Sequence, residues 1–342
     1  EAGEINAFFN VCRHRGSRIC LEESGNAQHL ICPYHAWTYS LSGGLVAARR
    51  MPKGFDKADY SLHRCHVRVY EGLIFINLTN GEPNDFDIIA ETLDSFVKPH
   101  GIARTKIVHR EVYPTYGNWK LAVENFRECY HCAPAHPQYT MVNAYVGIND
   151  RKADGYTPTV EAWAERTAAM GHPTGRVRND DDLSEQPHGG FRQPIRDGYL
   201  TLSEDGRPVA PLLGDFKDFD GGECMLVFGP LFYIYCGNDH VTTFRFTPVN
   251  GQFTEVVLTW LVHEDAAEAD YDVDRLKWMW DVTTIQDTTI IGDNQAGVNS
   301  SRYVPGPYSD REGFASNFTR WYLHQLDPDA AGDIPTAAEC ND

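Results

Sequence analysis

The segment CRHRGSRICLEESGNAQHLICPYH, residues 12–35, carries two short motifs that determine how the first part of the chain folds. CRH at 12–14 and CPYH at 32–35 each offer one thiolate and one imidazole from a loop. Zinc fingers use separate pairs of cysteines and histidines, whereas a mixed arm suits a [2Fe–2S] cluster with two cysteines on one iron and two histidines on the other. We therefore expect a cluster held by Cys12, His14, Cys32 and His35, and a zinc ribbon is the alternative.

The residues around these motifs form short β-rich runs separated by turn sequences. The runs lie at 5–11, 29–32, 36–41, 67–70 and 73–78, and SGN at 24–26 and SGG at 42–44 are turn signals. They predict a small all-β domain over residues 1–84, because the polar stretch at 79–87 precedes a helical pattern at 88–96. Residues 85–342 would form a second domain. The chain starts in a strand-like pattern, so we expect further sequence on its N-terminal side.

The second domain combines an antiparallel meander with helices. Asn118 is a candidate N-cap for a helix that follows a strand at 106–116. Residues 146–222 are rich in Gly, Pro and Asp, which predicts loops and short helices. Three strands are expected at 225–235, 240–248 and 253–262, and two helices at 271–293 and 311–325. The predicted fold class is α+β.

A second metal site is indicated by NWKLAVENFRECYHCAPAHPQY, residues 118–139. Glu124, Glu128 and His131 are spaced to share one helical face. His136 would be rotated by about 140° on a continuous helix, so we expect the helix to end between the histidines, at Pro134. Two histidines and a carboxylate with open positions form the facial triad of non-haem Fe(II) oxygenases. The carboxylate must come from elsewhere in the chain.

Both segments resemble one family, the α subunits of Rieske non-haem iron oxygenases. CRHRGSRIC and CPYHAWTYSLSGG resemble its Rieske domain, and residues 118–139 resemble its catalytic domain. The resemblance implies a small all-β Rieske domain followed by a helix-grip-like catalytic domain with an antiparallel sheet. It also implies that His131 and His136 bind the mononuclear iron together with an Asp upstream of a Gln-x-Gly. The family spacing before Gln295 selects Asp287, and Asp293 is the reserve candidate.

The same resemblance assigns roles to two residues near the histidines. Glu128 lies where the family has a carboxylate that bridges the iron-binding histidine, here His131, to a Rieske histidine, here His35, of a neighbouring subunit. Such a bridge would orient the imidazole and give electrons a short route. Asn125 corresponds to a family Asn near the iron. A surface carboxylate is the alternative for Glu128, and Glu124 is equally compatible with a simple helix surface.

Electrons must come from a partner protein. The chain has no glycine fingerprint for a flavin or nicotinamide, so we expect a separate flavin- or ferredoxin-type reductase that draws electrons from NAD(P)H. A bridge between subunits would make the oxygenase oligomeric, and the family implies a homotrimer. An electron-transfer Rieske protein without oxygenase activity is the remote alternative.

The string ENFRECYHC, with Glu at position 128, resembles the branch that oxidises amines such as glycine betaine, carnitine and stachydrine. That resemblance implies N-demethylation with release of formaldehyde. Tyr233, Tyr235, Trp260 and Trp163 are candidates for a cation–π cage around a trimethylammonium group. An aromatic-ring dioxygenase or an O-demethylase is the rival. Aromatic rings and a carboxylate around the iron would favour amines, and an aliphatic lining would favour arenes.

Composition narrows the function classes. The net charge is −18 and the pI is about 5.1, which argues against a nucleic-acid partner. No apolar stretch is long enough to cross a bilayer, and no signal peptide is visible, so we expect a cytoplasmic protein with no membrane partner. The odd number of cysteines, 9, does not suggest a disulfide framework. Cysteines outside the cluster are expected to be buried small apolar residues.

Overall fold

The computed structural model describes residues 3–84, 86–143, 156–179, 183–184 and 186–327. The chain divides into two compact units, residues 1–86 and 87–342. Among the described residues, no helix combines the length and the apolar character needed to cross a bilayer.

The first unit contains two small antiparallel sheets. Three strands pair in the order β1 (Leu30–Ile31), β2 (Thr38–Tyr39) and β3 (Leu45–Ala47). A short 3-10 helix, Lys57–Tyr60, is followed by a hairpin of β4 (His66–Tyr70) and β5 (Leu73–Asn77). The apolar core is small and includes both cysteines of the cluster motifs: Cys12, Ile19, Cys32, Trp37, Tyr39, Leu45 and Leu62.

The predicted strand at 5–11 is wrong, because this run makes only an isolated bridge between Phe8 and Arg64. Asn10 turns the chain into the cluster loop: its side-chain oxygen accepts hydrogen bonds from the N–H groups of Ile19 and Cys20, both at 2.9 Å. A side chain that satisfies neighbouring backbone donors in this way competes with strand pairing.

The second unit is built on a seven-stranded antiparallel sheet. Its strands are β6 (Thr105–Thr115), β7 (Gly175–Asn179), β8 (His188–Pro194), β9 (Gly222–Phe228), β10 (Phe232–Cys236), β11 (Val241–Asn250) and β12 (Phe253–His263). They lie in the order β6-β12-β11-β10-β9-β8-β7. The helices are α1 (Phe86–His100), α2 (Trp119–Phe126), α3 (Cys132–Ala135), α4 (Pro137–Val142), α5 (Tyr156–Ala169), α6 (Val273–Val298) and α7 (Gly313–Leu326). The expected α+β fold, with an all-β unit before an antiparallel sheet and helices, is confirmed.

Helices cover both faces of this sheet. On one face, Phe126 of α2 packs 4.8 Å from Phe244, and Trp280 of α6 packs 4.4 Å from Tyr235, measured between ring centroids. On the other face, Arg192 of β8 lies over Trp163 of α5. The first face holds the aromatic core over which the candidate site is built.

The described residues between 156 and 222 differ from the expected loops and short helices, because β7 and β8 extend the central sheet, while residues 146–155, 180–182 and 185 lie outside the described residues. The sequence HGGFRQP of β8 does not show the alternation of apolar and polar side chains that indicates a strand, because Gly189 and Gly190 have no side chains. A Cβ at Gly190 would lie 2.9 Å from Leu226 Cδ2, so the glycine permits close packing with β9. The single strand predicted at 225–235 is two strands, because Gly229 adopts a φ of 74° and reverses the chain.

Gly117 sets the distance between the segment that leads into α2 and the long helix α6. It is buried, and a Cβ there would lie 2.5 Å from Ile291 Cγ2 of α6. The next residue, Asn118, donates its backbone N–H to Gln295 Oε1 of α6 at 2.8 Å, and its side chain caps α2 as expected. Only glycine allows this approach.

We predict that Gly117→Ala destabilises the protein by about 1–3 kcal/mol, because the methyl group overpacks the contact with Ile291. Thermal unfolding should show Tm lower by roughly 2–12 °C. The matched control is Gly297→Ala on α6, the helix that Gly117 contacts, where nothing lies within 4 Å of the added Cβ and alanine favours the helix. Equal Tm values for wild type and Gly117→Ala would contradict this account of the contact.

Candidate functional site

The two cluster loops of the first unit direct their cysteines inward. Cys12 and Cys32 are 3% and 2% exposed, and neither forms a disulfide. Tyr39 of β2 closes the loops, since its hydroxyl lies 3.3 Å from Cys12 Sγ and accepts the N–H of Arg13 at 3.1 Å. Burial alone raises the pKa of Cys32, but the N–H groups of Tyr34 and His35 and the neighbouring Cys12 lower it. A thiol held in this way is ready to bind metal as a thiolate.

The two cluster histidines lie on the exposed side of the same loops. The His14 and His35 rings are 4.6 Å apart, and His14 stacks on the buried Trp37 at 4.8 Å between centroids. The structure therefore brings Cys12, His14, Cys32 and His35 together, with the thiols inside and the imidazoles at the surface. This donor set suits the asymmetric ligation of a [2Fe–2S] cluster of the Rieske type.

Helix α2 ends earlier than the sequence pattern predicts. It stops at Phe126, so Glu128 and His131 do not continue its face. The cause is the Glu128 carboxylate, whose Oε2 accepts the backbone N–H groups of Tyr130 and His131 and replaces helical hydrogen bonds. Pro134 does not break a helix, because it lies in the first turn of α3, where its missing N–H needs no partner.

His131 and His136 converge with Asp287 after this turn. Asp287 Oδ1 of α6 lies 3.0 Å from His136 Nε2 and 3.5 Å from His131 Nε2. His136 Nε2 and Asp287 Oδ1 are buried, and neither has a hydrogen bond of acceptable geometry within the described part of the chain. Two imidazole nitrogens and a carboxylate oxygen facing one point are a donor set that fits Fe(II).

The opposite ring nitrogens of both histidines are held by other side chains. His131 Nδ1 lies 2.5 Å from Glu128 Oε1, and His136 Nδ1 donates to Gln286 Oε1 at 2.9 Å. These contacts leave the Nε2 atoms directed at Asp287. A carboxylate or amide on the far nitrogen of a ligating imidazole sets its orientation and tautomer.

The electrostatics of this group favour a positive charge between the carboxylates. Burial alone would lower the pKa of His131, but Asp287 and Glu128 outweigh it and raise that pKa to about 9. For Asp287, burial alone would raise the pKa, but His131 and His136 outweigh this effect and hold the pKa below its ordinary value. A metal cation would satisfy the same carboxylates.

The structure distinguishes the other candidate residues of the iron site by their position relative to the two histidines. Asp293 is exposed on α6, whereas Asp287 is buried against the histidines. Asn125 Nδ2 lies 3.3 Å from His131 Nε2, so this side chain borders the point where a metal would be held. Glu124 faces away and accepts hydrogen bonds from Thr319 at 2.8 Å and Tyr308 at 3.1 Å.

A small pocket opens beside the two histidines. Its aromatic lining is Phe126, Tyr139, Tyr235 and Trp280, and its polar lining includes Glu128 and Asp287. Of the four candidates for a cation–π cage, Tyr235 lines this pocket. Tyr233 and Trp260 lie in the core, and Trp163 borders a different cavity of about 240 Å³. Tyr139 and Trp280 carried no local sequence signal for this role.

The cysteines differ from the sequence expectation in two respects. Cys129 and Cys132 form a disulfide on either side of His131, and both line the pocket. The spacing Cys-x-x-Cys was the available signal. Cys20 is exposed rather than buried, while Cys224 and Cys236 are buried as expected.

Comparisons with known proteins agree with this geometry. Residues 102–328 match the family described as "Ring hydroxylating alpha subunit (catalytic domain)", and residues 1–71 match "Rieske [2Fe-2S] domain". The chain is 36% identical over 335 residues to the glycine betaine monooxygenase oxygenase subunit of Pseudomonas aeruginosa (strain UCBPP-PA14), covering 95% of this chain and 76% of that protein. It is 40% identical over 139 residues to the carnitine monooxygenase oxygenase subunit of Acinetobacter pittii (strain PHEA-2), covering 40% and 37%.

Solved structures share the fold. A quaternary ammonium Rieske monooxygenase that oxidises carnitine has a TM-score of 0.62 at 20% identity, covering 95% of this chain and 79% of that chain. Naphthalene 1,2-dioxygenase with indole bound has a TM-score of 0.64 at 16% identity, with the same two coverages. From its paired metal-binding motifs, its sheet and its matched domains, the chain belongs to the family of Rieske ring-hydroxylating oxygenase α subunits, which are non-haem iron oxygenases.

Proposed function

We propose that this oxygenase removes an N-methyl group from a quaternary or tertiary amine. The observation that carries the proposal is the pocket beside His131 and His136, whose lining includes four aromatic side chains and two carboxylates, Glu128 and Asp287. Aromatic faces and negative charge attract an ammonium group, and neither feature is required by a neutral arene. The sequence similarity to glycine betaine monooxygenase over 95% of the chain supports the same substrate class.

The residues of the site have distinct tasks in this proposal. His131, His136 and Asp287 would hold the iron, which when bound supplies the activation of O₂ beside the substrate. Glu128 and Gln286 orient the two imidazoles through their Nδ1 atoms. Asn125 borders the open side of His131. The aromatic walls exclude water from the methyl group that is hydroxylated, and the hydroxylated product breaks down to formaldehyde and the demethylated amine.

Electrons would arrive through the Rieske unit from a separate flavin- or ferredoxin-type reductase that oxidises NAD(P)H. His35 is exposed on its own unit, which leaves it accessible to a partner. Glu128 is bound to His131 and keeps 12% of its side chain exposed. We propose a homotrimer in which His35 of one subunit meets Glu128 of the next, so that the carboxylate connects the two centres.

The rival function is oxidation of an arene by the same irons. The fold alone does not separate the two, because naphthalene dioxygenase and the carnitine-oxidising enzyme resemble the chain about equally in TM-score. An arene would be favoured by an aliphatic pocket. The described lining, with its rings and carboxylates, favours the amine.

A screen with a surrogate reductase should separate these functions. We predict that methylated amines such as glycine betaine yield formaldehyde in proportion to the amine consumed, while naphthalene yields little product. His131→Ala should abolish turnover and leave the visible Rieske spectrum intact, since His131 contacts Asp287 and Glu128, whereas the cluster ligands are Cys12, His14, Cys32 and His35. Turnover of the arene without formaldehyde would overturn the proposed substrate class. Full activity of His131→Ala would overturn the assignment of the iron site.

Asp287→Asn should weaken iron binding by at least about tenfold, because loss of even an outer partner of a metal ligand costs about 10–100-fold. The measurement is iron content after dialysis, separated into cluster and mononuclear iron. Asp293→Asn is the matched control on the same helix, and it should retain all its iron because that side chain is exposed. The opposite pattern would exchange the roles of the two aspartates.

Glu128→Gln should slow electron transfer from the Rieske cluster to the second iron by roughly 10-fold or more. Because the amide oxygen of Gln can still accept the hydrogen bond from His131 Nδ1, neither centre should be emptied. Reoxidation of the reduced cluster by O₂ in a single turnover, followed in the visible spectrum, measures this step. Glu124→Gln is the control, because that carboxylate binds Thr319 and Tyr308 and not His131. A wild-type reoxidation rate in Glu128→Gln would exclude the bridging role.

A further inference from the structure

Glu223 is a fully buried carboxylate that no sequence motif identifies. It lies on β9, and its Oε1 accepts a hydrogen bond from Gln193 Nε2 at 2.9 Å. Its Oε2 has no hydrogen bond of acceptable geometry within the described residues. Burial raises the pKa of Glu223 to about 7, although the neighbouring amides of Gln193 and Asn143 act against this rise. The carboxylate therefore occupies its position at a cost in free energy.

The position of Glu223 relates it to the pocket. In the antiparallel register, Met225 pairs with Tyr235, and Glu223 is two residues before Met225 on the same strand. Directly paired residues and residues two apart point to the same face of a sheet, so Glu223 and Tyr235 share the face that carries the candidate site. Burial first, and then the charge of Glu223, raise the pKa of both Tyr235 and Tyr139. Both of these tyrosines line the pocket.

The side chain of Asn143, beside Glu223, likewise has polar atoms without a hydrogen bond. Asn143 is buried next to Glu223 and Tyr139, and neither its Oδ1 nor its Nδ2 has a hydrogen bond of acceptable geometry to a described residue. Buried polar atoms are nearly always satisfied in folded proteins. The amide of Asn143 is a polar neighbour of Glu223 but carries no charge, so it does not neutralise the carboxylate behind the aromatic wall.

Other buried carboxylates of this unit have cationic or strongly donating partners. Asp220 pairs with Arg192 at 2.7 Å and with His172 at 2.6 Å, and Asp239 contacts His240 at 2.7 Å. Asp287 and Glu128 contact the imidazoles of the iron site, as described above. Among the ion pairs of the described residues, none involves Glu223. A buried carboxylate that lacks a counter-charge is stabilised when a bound cation supplies it.

We propose that Glu223 determines specificity for a cationic head group, by placing a negative charge behind the rings of Tyr139 and Tyr235. The inference rests on the proposed function, since it names the residue that distinguishes a methylated ammonium group from a neutral group of equal shape. The rings make van der Waals and cation–π contact with the methyl groups. The carboxylate acts through the low-dielectric wall, where charge interactions are stronger than in water.

The test compares two ligands of the same shape. Glycine betaine carries a trimethylammonium group, and 3,3-dimethylbutanoate carries a tert-butyl group in its place. Dissociation constants are measured by titration calorimetry at about pH 8.5, where Glu223 with its pKa of about 7 is ionised, on the anaerobic, iron-loaded wild type and on Glu223→Gln, which keeps the size of the side chain and removes its charge. Wild type should bind the cation at least about tenfold more tightly, a difference of about 1.4 kcal/mol. Glu223→Gln should lose most of this preference through weaker binding of the cation alone.

Two control variants isolate the charge at this position. Glu255→Gln removes one charge from β12 of the same sheet, away from the pocket lining, and should keep the wild-type preference. Glu223→Asp retains the charge and should restore part of the preference. Equal loss of affinity for both ligands in Glu223→Gln would assign Glu223 a structural role only and overturn the proposal.

The outcomes for the two proposals remain separate. Formaldehyde release from glycine betaine by wild type, with an unchanged preference in Glu223→Gln, would remove the role of Glu223 and leave the proposed function intact. Absence of amine oxidation in wild type would remove the proposed function itself. If Glu223→Gln does not fold, the inference is tested by the wild-type dissociation constants for the two ligands. Equal affinity of wild type for both ligands overturns it.

Discussion

The contact of Asp287 with His131 and His136 is the constraint on which the second unit depends. It joins the middle of α6 to a turn about 150 residues earlier in the chain. Gln286, which precedes Asp287, is 150 residues after His136. Four titratable groups in one buried place are tolerated only if each faces an opposite charge or a hydrogen-bond partner. The helices must therefore lie within a narrow range of distances. Gly117 permits that approach, and the hydrogen bond from Asn118 to Gln295 sets its register.

Glu128 connects the local backbone to this constraint. One of its oxygens holds the N–H groups of Tyr130 and His131, and the other holds the His131 ring. The same side chain thus ends the extension of α2, shapes the turn and orients the imidazole. Its two contacts require both carboxylate oxygens, so a neutral amide could keep the shape of the turn but could not accept at both positions.

Local motifs carried most of the information that the sequence offered about the site. The metal-binding residues occur in short segments, so their donor types and spacing can be seen directly in the sequence: Cys12 with His14, Cys32 with His35, and His131 with His136. Asp287 came only from family resemblance, because no local rule relates α6 to residue 131. Gln286, Tyr139, Trp280 and Glu223 had no signal at all, since they reach the site through tertiary packing.

For the fold, too, local patterns were informative, whereas features that depend on tertiary packing were not. Long periodic elements such as α1, α6, β11 and β12 were predictable from their patterns. Strand β8 was not, because its glycines remove the alternation that marks a strand and serve the packing against Leu226. The end of α2 was misplaced by five residues or more because a side chain, Glu128, took over the backbone donors, and helical spacing alone contains no sign of that competition.

The disulfide between Cys129 and Cys132 has a consequence for the histidine that it encloses. It closes a small ring of backbone around Tyr130 and His131, which restricts the conformations of that segment before any metal arrives. A ligand that is already confined loses less conformational entropy when it coordinates. The disulfide therefore lowers the conformational entropy that His131 loses when it is held facing Asp287.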